Sequence, residues 1–259
     1  MGIKPITNQE IVSNIFNTTI IMRLSINIDH IATLRNARGG NIPDPVEAAH
    51  IVERAGAKGI VCHLREDRRH IRDNDVVRLR KEISTKLDLE MAATKEIIAF
   101  AKRIRPELAT LVPERRQELT TEGGLDVVRY SKKLKNAIEE LHFSVIAVSL
   151  FVDPVKEQIE EAKAIGADMI EIHTGEYADA RTKKDRVKHL KRIATMASFA
   201  HDLGLEVNAG HGLDYNNIVP ITEIPDIEEV SIGHSIIAHA VNVGLENSVK
   251  EMLGLMEGK

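Results

Sequence analysis

The sequence predicts an α/β fold, a (β/α)8 TIM barrel with additional helices. Eight short apolar runs, each ending in polar or ionisable residues, recur along the 259 residues. Stretches of helical character separate most of them. The length is close to the ~250 residues typical of one such barrel. In that architecture the carboxyl ends of all strands converge on one face, so the fold and the address of the chemistry come from one pattern. A doubly wound open sheet is the main alternative. It is disfavoured because no G-x-G-x-x-G follows the first run.

Residues 1–23 stand apart as an amino-terminal extension, a loose arm or a capping helix. IVSNIFNTTIIM is mildly apolar but broken by Ser, Asn and Thr, with only Lys4 before it and no small-residue cleavage pattern. The first strand is LSINIDH (24–30), followed by a basic loop, RNARGG (35–40). DPVEAAHIVERAGAKGIVCH (44–63) then gives a helix and the second strand. Asp44 is placed to cap that helix, Pro45 sits in its first turn, and Gly56 ends it. A helix over 73–85, strand LDLEMA (87–92), a helix over 94–105 and strand LATLVPE (108–114) follow. A polar loop, PERRQELTTEGG (113–124), leads to a helix over 125–141 and strand VIAVSLFVD (145–153).

DPVKEQIEEAKAIGADMIEIH (153–173) parallels the earlier unit. Asp153 and Pro154 open it, Val155, Ile159, Ala162 and Ile165 keep helical spacing, and Gly166 closes it before the sixth strand. Each copy ends in His, at 63 and 173. The parallel suggests a doubled half-barrel; two ordinary units with similar caps are the alternative. A helix over 183–203, strands LEVNAGHG (205–212) and VSIGH (230–234), and a helix over 243–257 complete the chain. No low-complexity linker interrupts it, so residues 24–259 form one domain.

The formal net charge of −4 gives no electrostatic reason to expect nucleic acid or an anionic membrane as partner. With no Trp and 3% aromatic residues, base-stacking platforms are not expected. No run approaches the ~20 apolar residues that span a bilayer. A single cysteine, Cys62, excludes an intrachain disulfide and a Cys-rich metal site, and fits the cytoplasm.

Period-two alternation places Asn27 with Asp29, Val61 with His63 and Arg65, and Glu171 with His173. Glu90 lies inside an apolar strand and points to the barrel interior near its mouth, where burial raises a carboxyl's pKa and makes it an acid/base group. A structural ion pair is the alternative for Glu90 and Glu171. His30, His63, His173, His211 and His234 all fall at predicted strand ends, with His70 in the loop after the second. Imidazole moves protons near neutral pH. No H-x-H or H-E-x-x-H is present, so no metal is expected, a scattered His/Glu site being the competing use.

NAGHG (208–212) and SIGHS (231–235) follow the last two strands, where barrel enzymes grip phosphate. The arginines of RNARGG and of REDRRH (65–70) suggest a second anion site, or else a solvated basic surface. The loop at 113–124 suits a lid or a plain surface loop. No lysine ends a predicted strand, so an enzyme-bound Schiff base is not expected.

NIDHIATLRNARGG, HLREDRRHI, LEMA, LVPERRQE-TTEGGLDV, IEIHTG-YADA, LEVNAGHGL and IGHSII together resemble the pyridoxine 5′-phosphate synthase family, from about residue 24 to 256. The resemblance implies a barrel assembled as an octamer of dimers, with no metal or organic cofactor. It implies condensation of 1-deoxy-D-xylulose 5-phosphate with 3-amino-2-oxopropyl phosphate to pyridoxine 5′-phosphate, phosphate and water. His63 and Glu90 match the family's proton acceptors, His211 its proton donor, and Glu171 a transition-state stabiliser. Asp29, His30, Arg65, His70 and Thr120 match contacts to deoxyxylulose phosphate. Asn27, Arg38, Gly212, Gly233 and His234 match contacts to the amino-ketone phosphate. The rival readings are a one-substrate phosphosugar isomerase and a non-catalytic phosphometabolite-binding protein.

Overall fold

The computed structural model describes residues 22–113 and 123–258. Eight parallel strands close into a barrel in sequence order, β1 pairing with both β2 and β8. They are β1 (Arg23–Asn27), β2 (Gly59–His63), β3 (Lys86–Met91), β4 (Leu108–Leu111), β5 (Ala147–Val152), β6 (Met169–His173), β7 (Glu206–Gly210) and β8 (Glu229–Ile232). Eleven helices lie among the described residues: α1 (Asp29–Arg38), α2 (Pro45–Ala55), α3 (Asp73–Glu82), α4 (Lys95–Ile104), α5 (Val127–His142), α6 (Lys156–Ala164), α7 (Gly175–Ala178), α8 (Lys183–Asp202), α9 (Val219–Thr222), α10 (His234–Val243) and α11 (Leu245–Met256). None is long and apolar enough to cross a membrane. The amino-terminal extension up to residue 21 and the polar loop from 114 to 122, with Thr120, lie outside the described residues.

Alternation along each strand sorts the core in two. Leu24, Ile26, Ile60, Cys62, Leu89, Leu150, Ile170 and Val230 have one parity and belong to the apolar cluster shared with the helices. The opposite parity is largely polar, with Val61, Leu108, Phe151 and Met169 among it. Ser25 Oγ donates to Glu229 at 2.7 Å, Lys86 Nζ reaches the same carboxylate at 2.7 Å, and Thr110 Oγ1 donates to Asp88 at 2.8 Å. Ordinary barrels fill this space with Val, Ile and Leu. Here the apolar stabilisation, about 1.5–3 kcal/mol for each large side chain fully buried, sits between the barrel wall and its helices. At the amino-terminal mouth a cavity of about 270 Å³ is lined by Arg23, Lys86, Glu206 and Glu229, which are tied into ion pairs.

The caps of α2 follow the sequence: Val46 N–H donates to Asp44 at 3.0 Å, and Gly56 ends the helix at φ 114°. The parallel unit differs. Its helix α6 starts at Lys156, after Pro154, and Val155 rather than Asp153 occupies the cap. The Asp153 carboxylate instead accepts the Gly124 N–H and faces His173 Nδ1. The predicted basic loop at 35–40 is also corrected. Residues 35–38 form the last turn of α1, and Arg35 is buried in a two-pronged ion pair with Asp75, at 2.7 and 2.9 Å. Helices α1, α7, α9 and α10 were not expected, and β1 stops at Asn27, so Asp29 and His30 open a helix instead of ending a strand. Asn27 Oδ1 takes the Asp29 N–H, turning the chain there.

Candidate active site

The first half of the carboxyl-terminal mouth comes from β1 to β3. His63 and Glu90 are register partners on neighbouring strands, and Nδ1 of one lies 3.9 Å from Oε2 of the other. Asn27 Nδ2 donates to Asp29 Oδ2 at 3.1 Å and to Glu90 Oε2 at 3.4 Å. Asp29 Oδ1 accepts the His63 backbone N–H at 2.9 Å and lies 3.8 Å from His70 Nδ1. That nitrogen accepts the Ile71 N–H at 2.9 Å, which assigns the neutral ring's proton to Nε2. Burial lowers the His70 pKa, so the ring is neutral near pH 7. Arg65, buried two residues beyond β2, places Nε 3.3 Å from Asp67. Burial raises the Glu90 carboxyl well above the ordinary range, and the charges of Glu171, Asp29 and Asp88 push the same way.

The second half comes from β5 to β7. Glu171 is buried in mid-strand, register partner of Asn208, and burial with Asp88 and Glu229 nearby raises its pKa to about 8. It is therefore protonated at neutral pH and can donate a hydrogen bond. Gly210 leaves room for it: a Cβ there would fall inside the Glu171 carboxyl. His211 follows at φ 77°, a left-handed conformation uncommon for a residue with a Cβ and frequent at functional sites. Thr174 Oγ1 holds this turn by its hydrogen bonds to the Gly210 carbonyl at 2.8 Å and the His211 carbonyl at 2.6 Å. Gly212, at φ 82°, presses on Ala178, where a Cβ would approach Ala178 Cβ to 2.7 Å. Burial, then the charge of His173, lowers the His211 pKa.

On β8, Gly233 caps α10 without a side-chain bond to the first-turn N–H groups, and His234 is its first residue. Such a helix start favours an anion. The His234 ring meets His30 edge-on at 4.9 Å. The structure thus gathers Asn27, Asp29, His63, His70 and Glu90 in one cluster, Glu171, His211 and Gly212 in a second, and His30, Gly233 and His234 in a third. All three ring the same mouth. Arg38 is not brought in; it ends α1 exposed, roughly 14 Å along the helix from Asp29.

Three residues to which the sequence assigned no catalytic or binding role, His173, Asp88 and Asp153, stand beside the site. His173 closes β6 with Nδ1 2.8 Å from Asp153 Oδ1, and its ring lies 5.1 Å from both His211 and Phe151. Asp88 lies one pleat below Glu90. The parity that paired Glu171 with His173 would equally have paired Asp88 with Glu90; the Asp153 contact is a tertiary one that no spacing reveals. Asp29, His63 and Glu90 each offer one ligand atom within 4.8 Å of the others, a spacing that admits a cation as well as proton transfer.

A family model described as Pyridoxal phosphate biosynthesis protein PdxJ matches residues 24–258. The chain is 57% identical over 236 residues to a pyridoxine 5′-phosphate synthase of Chlorobium phaeobacteroides, covering 91% of this chain and 100% of that one. It is 54% identical over 236 residues to one of Syntrophobacter fumaroxidans, covering 91% and 99%. Among solved structures, a 4-hydroxy-2-oxoglutarate aldolase from TTHB1 superposes with a TM-score of 0.61 at 13% identity, over 90% of this chain and 93% of that one, a likeness of barrel fold alone. With family match and identities spanning the whole barrel, the chain belongs to the pyridoxine 5′-phosphate synthase family, enzymes of pyridoxal phosphate biosynthesis.

Proposed function

We propose that this mouth joins 1-deoxy-D-xylulose 5-phosphate to 3-amino-2-oxopropyl phosphate, releasing phosphate and water as the pyridine ring closes. The observation that carries the reading is the Glu90 carboxyl, raised by burial and like charge and set 3.9 Å from His63 Nδ1. A carboxylate held against its tendency to stay protonated is a stronger base. Glu90 and His63 take protons from carbon as the ring forms. His211, its pKa lowered by burial, is a stronger acid once protonated, which suits delivery of a proton to a departing hydroxyl. Neutral Glu171 donates a hydrogen bond to developing negative charge, stabilising the transition state.

The remaining residues of the mouth hold the substrates. Asp29, His30, Arg65, His70 and Thr120 contact deoxyxylulose phosphate; Asn27, Gly212, Gly233 and His234 contact the amino-ketone phosphate, which Arg38, remote from its own mouth, would reach from a neighbouring subunit. Two fixed phosphates supply orientation worth several kcal/mol. No metal or organic cofactor takes part. By its resemblance to the family the chain assembles into a homo-oligomer, an octamer built from dimers. The lone, buried Cys62 suits the cytoplasm. Incubation with both substrates in excess chelator tests the reading: pyridoxine phosphate and free phosphate are expected in equal amounts. Turnover of either substrate alone, or none without added metal, would overturn it.

A further inference from the structure

The segment RTKKDRVKHLKR (181–192) carries seven Lys or Arg and one acid in a chain of net charge −4. It opens α8, and a cavity of about 470 Å³ lies there between α7, α8 and α9, within the size range of small-molecule sites. Arg181, Lys183 and Arg186 form its cationic side; Val187, Leu190 and Pro220 form apolar walls, with the buried Tyr177 behind them. Arg181 and Lys183 make no hydrogen bond or ion pair among the described residues, and Arg186 has only the Ala180 carbonyl, at 3.4 Å. Of the neighbouring acids, Glu176 pairs with Arg192, and Asp185 is held by Thr182 on the cavity wall at 2.7 Å.

We propose that this cavity is a second anion site, separate from the barrel mouth, for a small phosphate monoester with an apolar, ring-sized body. The phosphate sits among the three cations, where guanidinium forks match its oxygens. The body lies against Val187, Leu190 and Pro220. The site stands close to the catalytic turn: Tyr177 hydroxyl donates to the Asn217 carbonyl at 2.7 Å, and Asn217 Nδ2 donates to the Gly212 carbonyl at 3.1 Å.

Calorimetric titration of the full chain with phenyl phosphate tests the assignment. The double variant Arg181→Ala/Arg186→Ala and, independently, Val187→Asp change exposed positions outside the mouth. Each is expected to remove one class of site, or weaken it about tenfold or more, and to leave the melting temperature and basal turnover unchanged. Inorganic phosphate is expected to bind this site at least about tenfold more weakly than phenyl phosphate. An isotherm untouched by both variants would overturn the proposal. So would equal affinity for the two probes, because the apolar walls would then contribute nothing.

Discussion

Glu90 and Glu171 occupy one polar interior, and burial and like charge raise both, yet the two are asked to do opposite things. A base must lose its proton to work, whereas a hydrogen-bond donor must keep it. Glu90→Gln and His63→Ala are therefore expected to lower kcat by about 10²–10⁴-fold while far-UV circular dichroism and melting stay native. Loss of the fold in either variant would make the pair structural. Glu171→Gln keeps a donor and Glu171→Ala does not. The alanine variant is expected to lose about 10²–10³-fold in kcat and the glutamine variant far less. Glutamine should also abolish the part of the activity loss that wild type shows as pH rises through about 8, where Glu171 ionises. A pH–rate profile of the three proteins decides this. Arg65, buried beside His63, is expected to act on binding: Arg65→Ala raises KM for deoxyxylulose phosphate more than it lowers kcat.

Among the elements, those with caps and clear periodicity were legible, and those defined by distant partners were not. The strands, α2 to α6, α8 and α11 emerge from apolar spacing and from Asp, Pro and Gly at helix ends. Helix α1 was hidden because its arginines resemble an anion-binding loop; nothing local indicates that Arg35 is the buried partner of Asp75, forty residues on. Helices α7 and α9, of four residues each, are too short for periodicity to register. Asp153 shows the reverse error, a good capping residue drawn off by His173 in space. The Arg35–Asp75 pair joins α1 to α3 with both side chains at 6% exposure or less. Arg35→Ala would leave Asp75 charged and unpaired in that interior. The expected loss, read from urea unfolding, is about 3–5 kcal/mol, with KM values little changed in the surviving native protein. A loss below 1 kcal/mol would mean that water reaches Asp75 freely.

For the whole molecule, the barrel is held from outside by its apolar jacket and carries ionisable groups where other barrels carry hydrocarbon. The strand-end address of the site was legible because alternation exposes it. The depth of the polar interior was not, since Asp88 and Glu229 acquire their meaning from facing Glu171 and Lys86 across the barrel. This interior sets how stability depends on pH. Burial raises Asp88 to about 6 and Glu171 to about 8, from ordinary values of 3.8 and 4.5. Between those limits the folded chain holds more protons than the unfolded chain, so stability falls as pH rises. Glu229, lowered by Lys86 and Arg23 despite its burial, acts in the opposite direction and only under acid conditions, as pH drops through the carboxylate range. In the window from about 4.5 to about 8 Glu90, raised by burial as well, acts with this pair, while His30, His70 and His211, lowered by burial, offset part of the loss because they gain stability as pH rises; the carboxyl shifts are the larger and set the sign. Wild type should melt at a lower temperature at pH 8.5 than at pH 5.5. Glu171→Gln should shrink that difference by gaining stability chiefly at the higher pH, and adding Asp88→Asn should flatten it further. Parallel curves for all three proteins would place the pH dependence outside the barrel and remove the physical basis for a protonated Glu171.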